Sequence, residues 1–147
     1  MKKNKLSNNR HSASNNSHRM PNGDTQETTN NTDNLPVFLE NQRKEIILVY
    51  QLAARNTELL QWSPCYCGCA DSAGHKSNLN CFIAQTKSDG TIIWDDHGTR
   101  CDVCLKIAAQ SIQMKEQGKT TKEIREYIDT LYKKGYAPPT LTPMPTA

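Results

Sequence analysis

Apolar positions are scarce at the start of the chain and then arrive in helical order. Residues 1–34 hold only Met1, Leu6, Ala13 and Met20 as apolar positions, set among nine asparagines and many Ser and Thr. Such a segment cannot bury enough surface to offset its chain entropy, so a disordered polar arm is expected. From Arg43 to Arg55 apolar residues are dense, and Ile46, Tyr50 and Ala53 fall at helical spacing. Asn56 and Thr57 break that pattern, with Thr57 placed to cap a short turn through Glu58, Leu59 and Leu60 toward Pro64. A further helix is predicted from about Arg100 to Gln117, with Cys104, Leu105, Ala108, Ala109 and Ile112 as its stripe and Gly118 as its end. Thr120 and Glu123 then form a T-x-x-E capping-box pattern ahead of Ile124, Tyr127, Ile128 and Leu131. Gly135 sits where a C-cap belongs, and Pro138 forbids continuation. Between Cys81 and His97, Phe82-Ile83 and Ile92-Ile93-Trp94 flank Asp89-Gly90, the pattern of a short β-ribbon. Four prolines between Pro138 and Ala147 give an extended tail. The expected architecture is mainly α: a small helical domain over 35–137 with an irregular Cys/His-rich centre, flanked by a disordered arm (1–34) and a Pro-rich tail (138–147).

Composition narrows the classes. The 147 residues carry a formal net charge of +3. The arm supplies most of it, with Lys2, Lys3, Lys5, Arg10 and Arg19 against Asp24, Glu27 and Asp33. The foldable part is therefore nearly neutral, which argues against a nucleic-acid partner. Hydrophobic residues make up 35% of the chain, below the roughly 45–50% of ordinary globular domains. There is no apolar run of transmembrane length, and the arm offers no export-type apolar core. A core this modest gains from cross-linking by metal or disulfide.

The cysteines carry the chemistry. Cys65, Cys67, Cys69, Cys81, Cys101 and Cys104 lie in one window together with His75 and His97. In an extended C-x-C-x-C run the sulfurs point to one side. A disulfide between cysteines two apart closes a small, strained ring, so these three either converge on metal or pair with the distant three. Gly68 lets the chain curl so that they meet. Cys101 and Cys104 share one face at a helix start, where the positive end of the dipole favours thiolates. Six sulfurs and two imidazoles suffice for two four-coordinate zinc sites without sharing, or, with bridging thiolates, for a small Cu(I) cluster. Lys76, Arg100 and Lys106 are close enough in sequence to offset residual charge, and Tyr66 and Trp62 are expected to pack around the cluster.

These residues support a metal-binding protein that stores, carries, buffers or senses zinc or copper, with all six cysteines, His75 and His97 as candidate ligands and no enzymatic role. Three disulfides stapling an extracytoplasmic interaction domain form the alternative. A thiol oxidoreductase using Cys101 and Cys104 is a weaker one, since no βαβ pattern accompanies it. Asp95 and Asp96 read as turn residues before the helix, with no catalytic pair beside His97.

Pro64-Cys65-Tyr66-Cys67-Gly68-Cys69 matches, letter for letter, the motif of the PCYCGC-motif family. The resemblance continues through Gly74-His75-Lys76-Ser77, Cys81-Phe82, His97-Gly98, Cys101-x-x-Cys104, Gly118, Glu123-Ile124-Arg125 and Ile128-Asp129, and so spans about Ala53–Tyr132. It implies a small bacterial protein of unassigned function, often described as a lipoprotein of the cell envelope, and it brings no enzyme activity. This sequence has no cysteine ahead of Cys65, so membrane association is expected only if an export or lipid signal lies outside this start. An unidentified protein partner is expected beside the metal ion.

Overall fold

The computed structural model of the chain describes residues 17–68 and 73–147. Its first helix, α1 (Lys44–Arg55), turns the expected stripe inward and buries Ile46, Val49, Tyr50 and Ala53. The single turn α2 (Thr57–Leu60) buries Leu59 and Leu60. Its N-cap position is Asn56, not Thr57, and the Asn56 side chain donates to the Leu52 carbonyl at 2.8 Å, closing α1 as it opens α2.

Helix α3 (Asp102–Glu116) buries Cys104, Ile107, Ala108, Ser111 and Ile112. Ile107 thus takes the inward place that the sequence pattern gave to Leu105 and Ala109. Helix α4 (Thr121–Tyr132) starts with the expected capping box: Glu123 N–H donates to Thr120 Oγ1 at 3.1 Å, and Thr120 N–H to Glu123 Oε1 at 2.9 Å. Ile124, Ile128 and Tyr132 face the core, whereas Tyr127 and Leu131 stay exposed.

The chain is not mainly α. Strands β1 (Ser17–Arg19), β2 (Thr25–Thr29), β3 (Ile83–Thr86) and β4 (Ile92–Asp95) form one antiparallel sheet in the order β1-β2-β4-β3. The fold is an α+β arrangement in which helices pack beside an antiparallel sheet. The β3–β4 hairpin is the expected ribbon, with Gly90 at φ +95° in its turn. Strands β1 and β2 lie inside the segment expected to be disordered. They dock by polar means that a hydrophobicity argument does not count. β2 pairs with β4 in the register Gln26↔Asp95 to Thr29↔Ile92. Trp94 Nε1 donates to Thr29 Oγ1 at 2.8 Å. Buried Glu27 accepts from the backbone N–H groups of Val37 (2.7 Å) and Phe38 (3.3 Å), where a 3-10 turn (Val37–Leu39) begins. No helix among the described residues is long and apolar enough to cross a membrane.

Tyr50 organises the centre. Its ring meets Phe82 edge-on at 5.0 Å and Phe38 at 5.7 Å, and its hydroxyl donates to the Asp95 carbonyl at 2.6 Å. Against this aromatic cluster lies a 3-10 turn, Asp96–Arg100, that carries His97. Gly98 makes that approach possible: a Cβ there would stand 2.5 Å from Phe82 Cε1 and 3.1 Å from the Tyr50 hydroxyl.

Gly98→Ala should therefore destabilise the fold by about 1–3 kcal/mol, the usual cost of overpacking a filled core. A chemical denaturation midpoint unchanged from the parent would show that this turn is not seated on Phe82 as described.

Candidate metal centre

Four separate pieces of chain deliver the site. The PCYCGC run follows α2, and its backbone is held by the Pro-rich tail: Cys65 N–H donates to Thr140 Oγ1 at 3.0 Å, and Thr140 N–H returns to the Cys65 carbonyl at 2.9 Å. Thr142 Oγ1 donates to the Lys76 carbonyl at 2.7 Å on the far side of the loop. The tail is extended, as its prolines require, and it serves as a clamp. Side chains alternate along the run as an extended backbone dictates. Cys65 and Cys67 bring their sulfurs to 3.6 Å. Tyr66 points the other way, stacks on Tyr132 and donates to Asp129 at 2.5 Å. Tyr66 thus anchors the run to α4, where the sequence reading placed it beside the sulfurs. Its burial, and then its bond to Asp129, push the phenol well above its ordinary range. Gly68 has φ +84° and turns the chain after the second cysteine.

Cys81 closes a 3-10 turn, Asn78–Cys81. Cys101 is the N-cap of α3 and accepts from Cys104 N–H at 3.3 Å, which presents Cys104 from the first turn of the helix. The sulfur of Cys104 lies 2.9 Å from Cys81, 3.2 Å from Cys65 and 3.4 Å from Cys67. Cys65 and Cys81 are 3.7 Å apart. These separations far exceed the ~2.05 Å of a disulfide bond, and no disulfide joins any two of the described cysteines. They resemble the edges of a tetrahedron around an ion with metal–sulfur bonds of about 2.3 Å, which measure about 3.8 Å.

The histidines border this cluster. His75 Nδ1 is 3.6 Å from Cys81 Sγ, His97 Nε2 is 3.8 Å from Cys67 Sγ, and the two rings meet edge-on at 5.0 Å. The ligand atoms of Cys65, Cys67, Cys81 and Cys104 all lie within 4.8 Å of one another, as do those of Cys67, His97, Cys101 and Cys104, and those of His75, Cys81 and His97. Cys69 lies outside the described residues. Lys76 and Lys106 are exposed and make no described ion pair, while Arg100 is engaged by acids.

Sequence reasoning missed the groups that orient these ligands. Asp24, buried at the start of β2, accepts from His97 Nδ1 at 3.1 Å and is paired with Arg100. Arg100 also bonds Asp96 at 3.0 Å. A carboxylate on one ring nitrogen leaves the other, Nε2, turned toward the sulfurs, the arrangement by which ligating histidines are fixed. Hydrogen bonds to the Cys101 and Cys67 sulfurs, with the charge of Asp24 behind them, push His97 up to about 11. Asp95 is more than a turn residue: buried as the last residue of β4, it accepts from His97 N–H at 2.8 Å and from Gln26 at 2.9 Å. Asn78 is wholly buried and aims its amide at the site, donating to the Cys104 carbonyl at 3.1 Å and to Cys65 Sγ at 3.8 Å. A cleft of about 660 Å³, lined by Met20, Gln26, His75 and Asp95 among others, opens beside the His75 edge.

The chain matches the model of a protein family of unknown function with a PCYCGC motif over residues 2–145, and it belongs to that family. No curated protein and no solved structure matches it significantly.

Asp24→Asn should weaken metal binding by about 10–100-fold, the usual effect of removing the carboxylate behind a ligating histidine. Competition titration against a chromophoric chelator reads this directly. Equal affinity in the variant would mean that Asp24 supports the fold alone.

Proposed function

We propose that this member of the PCYCGC family is a small metal-binding protein that holds a soft d10 ion, zinc or Cu(I), and exchanges it with a partner. The observation that carries the reading is the meeting of four sulfurs, from Cys65, Cys67, Cys81 and Cys104, within 4.8 Å, with no disulfide among the described cysteines. Thiolate donors select zinc and Cu(I) over the hard cations that prefer oxygen. Cys101 and His97 extend the ligand set, and Cys69 and His75 are the remaining candidates. The helix start at Cys101–Cys104 and the Asn78 amide both favour sulfur in its anionic form.

The cleft beside His75 favours exchange over a purely structural ion. Structural zinc sites are closed, whereas here an opening reaches one edge of the donor cluster. Storage, buffering and delivery all need such an edge.

Protein purified without added metal or reductant, examined by native mass spectrometry with elemental analysis, should carry zinc or copper that is lost on denaturation. Cys67→Ser should lower the bound stoichiometry, and an unchanged value would remove Cys67 from the ligand set. A mass reduced by three disulfides, with no metal, would replace this reading with a stapled domain.

Stripping the ion with a chelator should lower the thermal midpoint. An ion present at about 100 times its Kd stabilises the folded state by about 2.7 kcal/mol. Coincident melting curves for the stripped and loaded protein would contradict binding to the folded state.

A further inference from the structure

Two of the sulfurs do double duty. Cys67 and Cys104 belong both to the all-sulfur group with Cys65 and Cys81 and to the mixed group with Cys101 and His97. Each group is a complete four-donor set of a kind zinc uses, four cysteines in one and three cysteines with a histidine in the other. The shared pair lies 3.4 Å apart, close to the ~3.8 Å edge of a metal–thiolate tetrahedron. Tetrahedra drawn on the two groups therefore share an edge.

The Asp24-oriented Nε2 of His97 lies 3.8 Å from Cys67 Sγ and gives the second tetrahedron its nitrogen corner.

We propose that the centre is binuclear: Cys67 and Cys104 bridge two divalent d10 ions, one completed by Cys65 and Cys81, the other by Cys101 and His97. This rests on the metal-binding reading above and specifies its stoichiometry. The two positions differ in exposure. The first is lined by three buried cysteines, and the second by three half-buried ligands and Cys104.

The full chain, reduced and freed of metal, is titrated with ¹¹³Cd²⁺ as a soft divalent probe and followed by native mass spectrometry and ¹¹³Cd NMR. The expected result is two ions per chain and two resonances, each split by the other through the bridging sulfurs. Cys101→Ser and His97→Ala, both at half-buried positions, should each reduce the count to one and retain the all-sulfur resonance. One ion in the parent chain overturns the binuclear centre and leaves the metal-binding reading standing. Two ions without mutual splitting overturn the bridge. No bound ion overturns both readings. The parent titration decides the matter even if a variant fails to fold.

Discussion

Four sulfurs packed within 4.8 Å of one another impose an electrostatic condition on everything around them. Two unit charges about 4 Å apart repel by about 4 kcal/mol at an effective dielectric of about 20. Four thiolates at such distances are stable only with a cation among them. As protonated thiols they would be small apolar side chains, and alanine or valine would pack the same space. In the proposed function the surroundings favour the charged form. Cys104 sits in the first turn of α3, its backbone N–H directed at Cys101, and the buried Asn78 amide faces Cys65. Each of these supplies positive potential from a fixed dipole, which needs no mobile counter-ion.

That condition explains why the cluster is assembled from distant pieces of chain. A single helix or hairpin cannot bring four side chains to one point. Here an extended run contributes Cys65 and Cys67, a 3-10 turn Cys81, and a helix start Cys104. Irregular segments of this kind lack repeating hydrogen bonds, so their polar groups need partners from elsewhere. Thr140 and Thr142 of the tail satisfy the backbone at Cys65 and Lys76. Asp95 satisfies His97 N–H, and Tyr50 caps the Asp95 carbonyl from the core. The aromatic cluster around Tyr50 is thereby tied to the ligand turn through a chain of two hydrogen bonds.

The legible parts of the sequence were those with a local signature. The spacing of Ile46, Tyr50 and Ala53 gave α1, the Thr120–Glu123 pair gave the start of α4, and Asp89-Gly90 gave the β3–β4 hairpin. The grouping of Cys65, Cys67, Cys81, Cys101 and Cys104 with two histidines was also visible, because ligand types this dense in a short window have few other uses. What stayed hidden was non-local and polar. Strand β2 reads Thr-Gln-Glu-Thr-Thr, which carries no apolar alternation. Its docking rests on a backbone ladder with β4 and on side-chain bonds to residues roughly seventy positions away, such as Thr25 N–H to Asp96 (2.8 Å) and Gln26 to Asp95. Composition weighs burial and not such pairings, so a polar strand beside a strong hairpin looks like a loose arm. Asp24 was lost with it.

Asp24 joins the two halves of the molecule thermodynamically. It is the first residue ahead of β2, it pairs with Arg100, and it holds the ring nitrogen of His97 that faces away from the sulfurs. In the proposed function an ion takes the place of a proton on His97 Nε2, while Asp24 holds the Nδ1–H of the ring. Coupling free energies are reciprocal. Whatever affinity Asp24 adds to an ion at His97, the ion returns to the docking of β1 and β2 on β4. The same argument applies to the tail, whose Thr140 is bonded on both sides to Cys65. In the proposed function, occupancy of the centre is thereby coupled to the two outermost stretches of the described chain.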